Sequence, residues 1–499
     1  MKLAHLGASA AAALCLLLPV AGHAQAPTPG FAMLGYLQEL DVANLNDPLS
    51  AGSMVVNGIP VVLPRNLYIT LPGQYLTVND LFRGKHPGTV PALAPASKPS
   101  GLALKDANKA PIPVEVDVMG NMVNGQYIAA VVHMTQQGLN AGAGFIRAID
   151  YAKGELLVGP DTGGPPVARV RINDPSGAYG LRNSAKTGGA AFDDRFAVDP
   201  GNASIVANTG FPMCIPRVAP PANDALCPLL NRRPDPDPDR ARRFTCGPVS
   251  AEPTAPAANP LNQSFSPCDP RKPAPLQVGD YIDFAGMLTE DNPGSGTFFH
   301  AAHAIQALAG IYTSPGADPG YVFTEVSIVG TLGDPWPGID QEETSRFRIV
   351  GFTTDPSRRV DVFVVDNNGD ERLMTTLQPR PVAQIGRIRV TLPAKANFLP
   401  VTRDMRLRIE GAPKFTGNGI ARNEYTAPVS EYITPENTRF GRPRSPVGGQ
   451  FENFCFLFKG GEPLSTLGRN GPAIGPLTPF PASGHAGPQR RADGSVSCG

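Results

Sequence analysis

In "VEVDVMGNMVNGQYIAAVVHM", residues 114–134, Val114, Val116 and Val118 alternate with Glu115 and Asp117 before Asn124-Gly125 interrupts the run. Alternation of period two puts one face of a strand in a core and the other in water. Asn-Gly suits the tight hairpin turn in which both central residues need positive φ. The same cadence returns along the chain. Asn57-Gly58 joins "SMVV" to "IPVVL", and "AGFIRAID", "GELLVGP" and "VARVRIND" follow as further short runs. Each is too short to cover a core alone, so the segments must close on one another as a small barrel. Glycine (54) and proline (55) fill about a fifth of the 499 residues, against about an eighth in ordinary usage. Long helices are therefore not the organising elements, and a mainly β chain is expected.

The cadence also repeats internally. Residues 116–134 can be set against "IDFAGMLTEDNPGSGTFFHAAHAIQ" (282–306), matching Ile282 to Val116, Asp283 to Asp117, Phe284 to Val118 and Gly286 to Gly120. After a longer loop, Phe299 matches Tyr127 and Ala301-Ala302 match Ala129-Ala130, which implies two copies of one barrel unit. Farther on, "RFRIV", "RVDVFVV", "GRIRVTLP" and "RDMRLRIEG" alternate charged and apolar residues, with Asn368-Gly369 as a turn, as an immunoglobulin-like sandwich requires. The expected order is a signal peptide (1–24), an OB-like β-barrel domain (30–215) with a linker-like loop at 86–113, and a Pro-rich, Cys-containing insertion (216–275). A second barrel-like segment (276–343), the immunoglobulin-like sandwich (344–458) and a disordered tail (459–499) complete it.

The succession "VVNGIPV", "VDVMGNM", "IAAVV", "IRAID", "ELLVGP" and "VRIND" resembles bacterial exported domains of unknown function built as small OB-like barrels. "TGFPMCIPR", "VGDYIDFAGML", "GIYTSPGADPGYVFTEV" and "VGFTTDPSRRVDVFVVD" are similar to uncharacterised secreted proteins of bacteria and fungi. The resemblance spans most of the chain and implies a fold, with no activity or catalytic residue attached.

Compartment is read from the leader and the cysteines. Lys2, the apolar run "GASAAAALCLLLPV" and small residues around Ala24 have the form of a cleaved secretory signal, which predicts a periplasmic or extracellular protein. No later stretch reaches the roughly 20 apolar residues of a membrane span. Six further cysteines, Cys214, Cys227, Cys246, Cys268, Cys455 and Cys498, are an even number suited to disulfides. Four of them crowd into a proline-rich interval with three possible pairings, and the spacing shows no Cys-x-x-Cys, which disfavours zinc. Lys plus Arg equals Asp plus Glu at 43 each, so no net field calls for nucleic acid.

Candidate chemistry is sparse. His300 and His303 in "GTFFHAAHAIQALAG" would share a face on a helix and chelate a metal; on a strand their spacing sends one inward and one outward. The repeat favours the strand, and zinc would need more ligands. Acidic pairs such as Asp193-Asp194, or Asp283 with Glu290, would serve a glycosidase, and Asp235, Asp237 and Asp239 in "RRPDPDPDR" offer oxygens to calcium. No Gly-x-Ser-x-Gly elbow is present, no catalytic residue emerges and no cofactor is implied. The exposed aromatics around "GIYTSPGADPGYVF" and Trp336 are the ligand candidates. The leading reading is a non-catalytic exported binding or surface-interaction protein whose ligand is a glycan or a protein. The alternatives are a secreted hydrolase and a structural envelope or extracellular component. Oligomeric state is left open.

Overall fold

A computed structural model of the chain describes residues 30–83, 97–107, 112–135, 140–161, 164–185, 191–232, 242–247, 265–329, 346–366, 371–393, 402–417, 419–428 and 477–481. Among the described residues strands dominate, and the named helical elements are short 3-10 turns. The first barrel opens with β1 (Gly30–Val42), β2 (Gly52–Val56) and β3 (Ile59–Leu63), an antiparallel meander. A side hairpin follows, β4 (Tyr68–Leu71) and β5 (Gln74–Thr77). Next, β6 (Glu115–Val123) pairs antiparallel with β1, and β7 (Gln126–Thr135) pairs antiparallel with β6 and parallel with β3, which closes five strands. This is the OB-like arrangement expected. The inward residues Leu37, Met54, Val56, Val61, Leu63, Val116, Val118 and Val132 are all buried, and each such side chain contributes about 1.5–3 kcal/mol by leaving water. Asn57-Gly58 and Asn124-Gly125 adopt positive φ, 52° and 77° in the first turn and 51° and 78° in the second.

The chain then lays down β8 (Ala141–Asp150), β9 (Glu155–Gly159) and β10 (Ala168–Ile172). Between β10 and the rest of this second barrel come β11 (Ile205–Ala207) and β12 (Met213–Cys214), and then, within the insertion, β13 (Arg243–Cys246), β14 (Phe265–Ser266) and β15 (Ala274–Pro275). Beyond it, β16 (Tyr281–Glu290) pairs antiparallel with β8, and β17 (Phe298–Ala307) pairs antiparallel with β16 and parallel with β10. The second barrel therefore closes across the insertion. A boundary at 215 divides it in two: strands within 141–172 belong with those of 281–307, because only together do they complete a cylinder and its core.

The two barrels share their irregularities as well as their strand order. The first strand of each bulges after Leu37 and after Ile146, and the β6–β7 and β16–β17 pairs bulge at Gly120 and Gly286. A Cβ on Gly120 would run into the carbonyl of Ile128, and one on Gly286 into that of Ala301, so both bends demand glycine. The register corrects the sequence alignment by one residue in the last strand. Gly120 faces Ala129 whereas Gly286 faces Ala302, so Tyr127 corresponds to His300, and Ala130 to His303. Matching apolar letters ignored the hydrogen-bond register, which fixes the count.

After β18 (Gly310–Thr313), which pairs with β13, come the strands of a sandwich: β19 (Val322–Val329), β20 (Arg346–Thr353), β21 (Val360–Asp366), β22 (Glu371–Leu377), β23 (Arg387–Pro393) and β24 (Thr402–Ile409). A small hairpin, β25 (Phe415–Gly417) with β26 (Ile420–Arg422), precedes β27 (Glu424–Pro428). One sheet has the order β19-β20-β23 and the other β22-β21-β24-β27. Ile349, Ile388, Val360, Val362, Val364, Met405 and Leu407 fill the space between them. β19 lies within 276–343, yet it belongs to the sandwich and not to a barrel. Arg406 and Arg408 alternate with buried Met405, Leu407 and Ile409 as anticipated, and are held by Glu371 and Glu424.

Segments read as loops are partly structural. Leu102 and Ala103 are buried in the first barrel's cluster, and the amides of Leu104 and Lys105 donate to the carbonyls of Leu37 and Gln38. In the stretch expected to be a disordered tail, Leu477 and Phe480 are buried in the same cluster, and Thr478 bridges to Arg65. A segment too polar to build its own core still orders where it lends two apolar side chains to an existing one. Residues 1–29, including the proposed leader, lie outside the described residues.

Candidate functional site

Strand β1 outruns the hairpin beside it. Leu37 pairs with Val56 at the hairpin's end, so Gly30–Tyr36 extend past the Asn57-Gly58 turn and pair on one edge only, with β6 from Asn121 to Glu115. Among the described residues no strand lies on their other edge. Ala32, Leu34 and Tyr36 point outward there, and Leu34 is 63% and Tyr36 43% exposed. From Gly30 to Gln38 the sequence carries no charge and no proline. Natural sheets normally blunt such an edge with charge, proline or a bulge, and here the bulge comes only at Gln38.

One side chain reaches this edge. The amide of Asn57 donates to the Leu34 carbonyl at 2.9 Å, while Gly58 N–H donates to Gln38 Oε1 at 2.6 Å. The Asn57 amide lies over Gly35, where any Cβ would collide with its Oδ1. A side chain at residue 35 would displace the Asn57 amide from this position. Across the sheet, Leu34 stands opposite Asp117, Asp117 opposite His133, and His133 opposite Thr70. Burial pushes the Asp117 carboxyl above its ordinary value, against the pull of His133.

The outer face of β2 and β3, which binds oligonucleotides and oligosaccharides in OB folds, is chemically poor. Glu39 and Asp41 lie alongside Ser53, Val55, Pro60 and Val62, and the two acids are paired with Lys105 and Lys98. Among the described residues of β2 and β3, no arginine or aromatic ring is offered to phosphates or sugar rings. The matching region of the second barrel carries Arg169 and Arg171, but Glu155 and Asp291 consume both, and Arg171 lies 4.2 Å from the centroid of Phe299.

The sequence candidates fall elsewhere. His300 and His303 lie on strand β17, which settles the segment as extended. His300 packs edge-on against Phe284 at 4.9 Å, and burial lowers its pKa. The expected split of one histidine inward and one outward is altered by the bulge in the β16–β17 pairing: His303 is 6% exposed, and His300 is half-buried. Desolvation pushes its pKa down to about 4. Among the described residues no three His, Cys, Asp or Glu side chains are grouped to hold a metal. Tyr312, Tyr321 and Phe323, expected as exposed ligand contacts, are buried, and the two tyrosine hydroxyls donate to the carbonyls of Ile385 and Pro270. Asp193 pairs with Arg195, Asp194 accepts from the amide of Ala185, and Glu290 accepts from Gly294 and Gly296, so these acids organise turns. Trp336, Asp235, Asp237, Asp239, Cys455 and Cys498 lie outside the described residues.

Of the three pairings open to the four central cysteines, the structure selects Cys214–Cys227 and Cys246–Cys268. No helix among the described residues is long and apolar enough to cross a membrane. Leu34 and Tyr36 were not singled out by sequence, and Asn57 was read only as a turn residue. The uncharged run "GFAMLGYLQ" was visible, but the absence of a neighbour for its edge was not. The chain matches no protein-family model, no curated protein and no solved structure.

Proposed function

We propose that this is a non-catalytic exported binding protein that takes up an extended polypeptide along the open edge of β1. The observation that carries this reading is the uncharged stretch Gly30–Tyr36, which pairs with β6 on one edge and with no strand among the described residues on the other, with Leu34 and Tyr36 exposed beside it. Strand addition supplies backbone hydrogen bonds of about 0.5–1.5 kcal/mol net each, and alternate side chains supply selectivity. An uncharged edge leaves a charged ligand uncompensated, so the partner is an uncharged strand with apolar residues at alternate positions. Export is supported by the leader-like first 24 residues and the two cysteine pairs. An immunoglobulin-like identity for the sandwich is supported by its seven strands split three and four. The resemblance to secreted bacterial and fungal proteins belongs with the same reading.

The test is selection of random peptides on the purified, oxidised protein, followed by affinity measurement on Leu34→Lys. Enriched peptides should be uncharged and alternating, and the lysine should weaken them at least tenfold, about 1.4 kcal/mol. Peptides that bind Leu34→Lys as well as the unaltered protein overturn the site.

A further inference from the structure

We infer that Asn57 is a built-in guard of the β1 edge, its side-chain amide occupying the position at Leu34 that the backbone N–H of a docked strand would take. The inference rests on the peptide-binding reading and adds its regulation.

Three observations converge on it. The Asn57 amide donates to a main-chain acceptor in the middle of the otherwise open stretch, at 2.9 Å. It lies in a hollow that exists only because residue 35 has no side chain. It is held there by the turn, in which Asn57 has φ 52° and the following N–H is fastened to Gln38 Oε1. A primary amide is planar, uncharged and a donor, which is the chemistry of the peptide group it stands in for.

The second barrel makes the comparison. At its matching glycine, Gly144, an added Cβ would come within 2.9 Å of Val158 Cγ1 and 3.0 Å of the Gly159 carbonyl oxygen, and no side-chain amide is among its nearest neighbours. Where the first barrel presents Leu34 and Tyr36, the second has Ala143 and Phe145, and Phe145 is packed edge-on against Tyr281 at 5.1 Å. The guard occurs on the barrel whose edge carries exposed apolar side chains.

The probe is a capped peptide copying Gly30–Gln38, an uncharged alternating strand, titrated by fluorescence anisotropy into the full oxidised chain. Asn57→Gly tolerates the positive φ, and Asn57→Asp keeps a residue favoured in this turn while replacing the donor by an acceptor. Both variants should bind the peptide about tenfold more tightly than the unaltered protein, the equivalent of one hydrogen bond released from competition. Far-UV circular dichroism checks that both remain folded. If both bind no tighter while Leu34→Lys abolishes binding, Asn57 is only a turn residue; the guard is overturned and the docking site stands. If the peptide binds none of the proteins, both fall.

Discussion

Replacing Arg232 by methionine should destabilise the insertion by about 3–5 kcal/mol. The side chains of Arg232 and Asp280 are 1% and 5% exposed and form a two-pronged ion pair. Arg232 also donates to the Pro275 carbonyl, and the Gln277 amide donates to Asp280 Oδ2 at 2.8 Å. Methionine fills much of the arginine's volume, so the loss is mainly electrostatic: a buried carboxylate keeps one neutral donor in place of a guanidinium. Asp280→Leu should cost a similar amount by stranding the cation. The double variant removes both desolvated charges and should lose less than either single variant, far short of the sum, because apolar replacement of a buried pair is often near neutral. Guanidinium denaturation followed by circular dichroism, with hydrogen exchange at the amides of residues 229–232 and 274–282, reads all three. Strictly additive losses, or less than about 1 kcal/mol for Arg232→Met, would refute the claim that the charges depend on each other.

Gly120→Ala drives a Cβ into the Ile128 carbonyl, whereas Gly125→Ala meets nothing and bears only its positive φ. Chemical denaturation should return a loss of about 3 kcal/mol for the first and about 1 kcal/mol for the second. His303, with its pKa lowered to about 4 from 6.5, binds a proton in the unfolded chain before it does so in the folded one. Stability should therefore be complete above pH 6.5 and fall by about 3 kcal/mol as pH drops through about 4; a pH series on His303→Gln should lack that component. Cys214→Ser opens a link with a sequence separation of 13 and should cost about 3 kcal/mol, measurable as a lowered thermal midpoint that added reductant does not lower through the same bond.

Much of the local structure was legible. The alternation in "VEVDVMG" and the two Asn-Gly turns reappear as β6, β7 and the β2–β3 hairpin. The likeness of Gly286 to Gly120 was readable because a bulge that admits only glycine leaves a letter in the sequence. The second barrel's true strands were not legible as a set, since β10 meets β17 only after the whole insertion has intervened. Tyr312 and Tyr321 looked like surface aromatics among glycine and proline, yet carbonyl partners brought by distant segments bury them. The proposed site was the least legible part: "GFAMLGYLQ" reads like any half-buried strand until one knows that its neighbouring hairpin stops at Leu37.

The sequence by itself determined that this chain is built from short strands and tight turns, because side-chain alternation and positive φ are properties of adjacent residues. Only the tertiary structure decided which strands close the two barrels, which of the four central cysteines meet, that His303 is buried, and that among the described residues one edge of β1 meets no strand and carries the Asn57 amide. Hydrogen-bond register and solvent exposure belong to pairs of segments far apart in the chain, and no local pattern carries them.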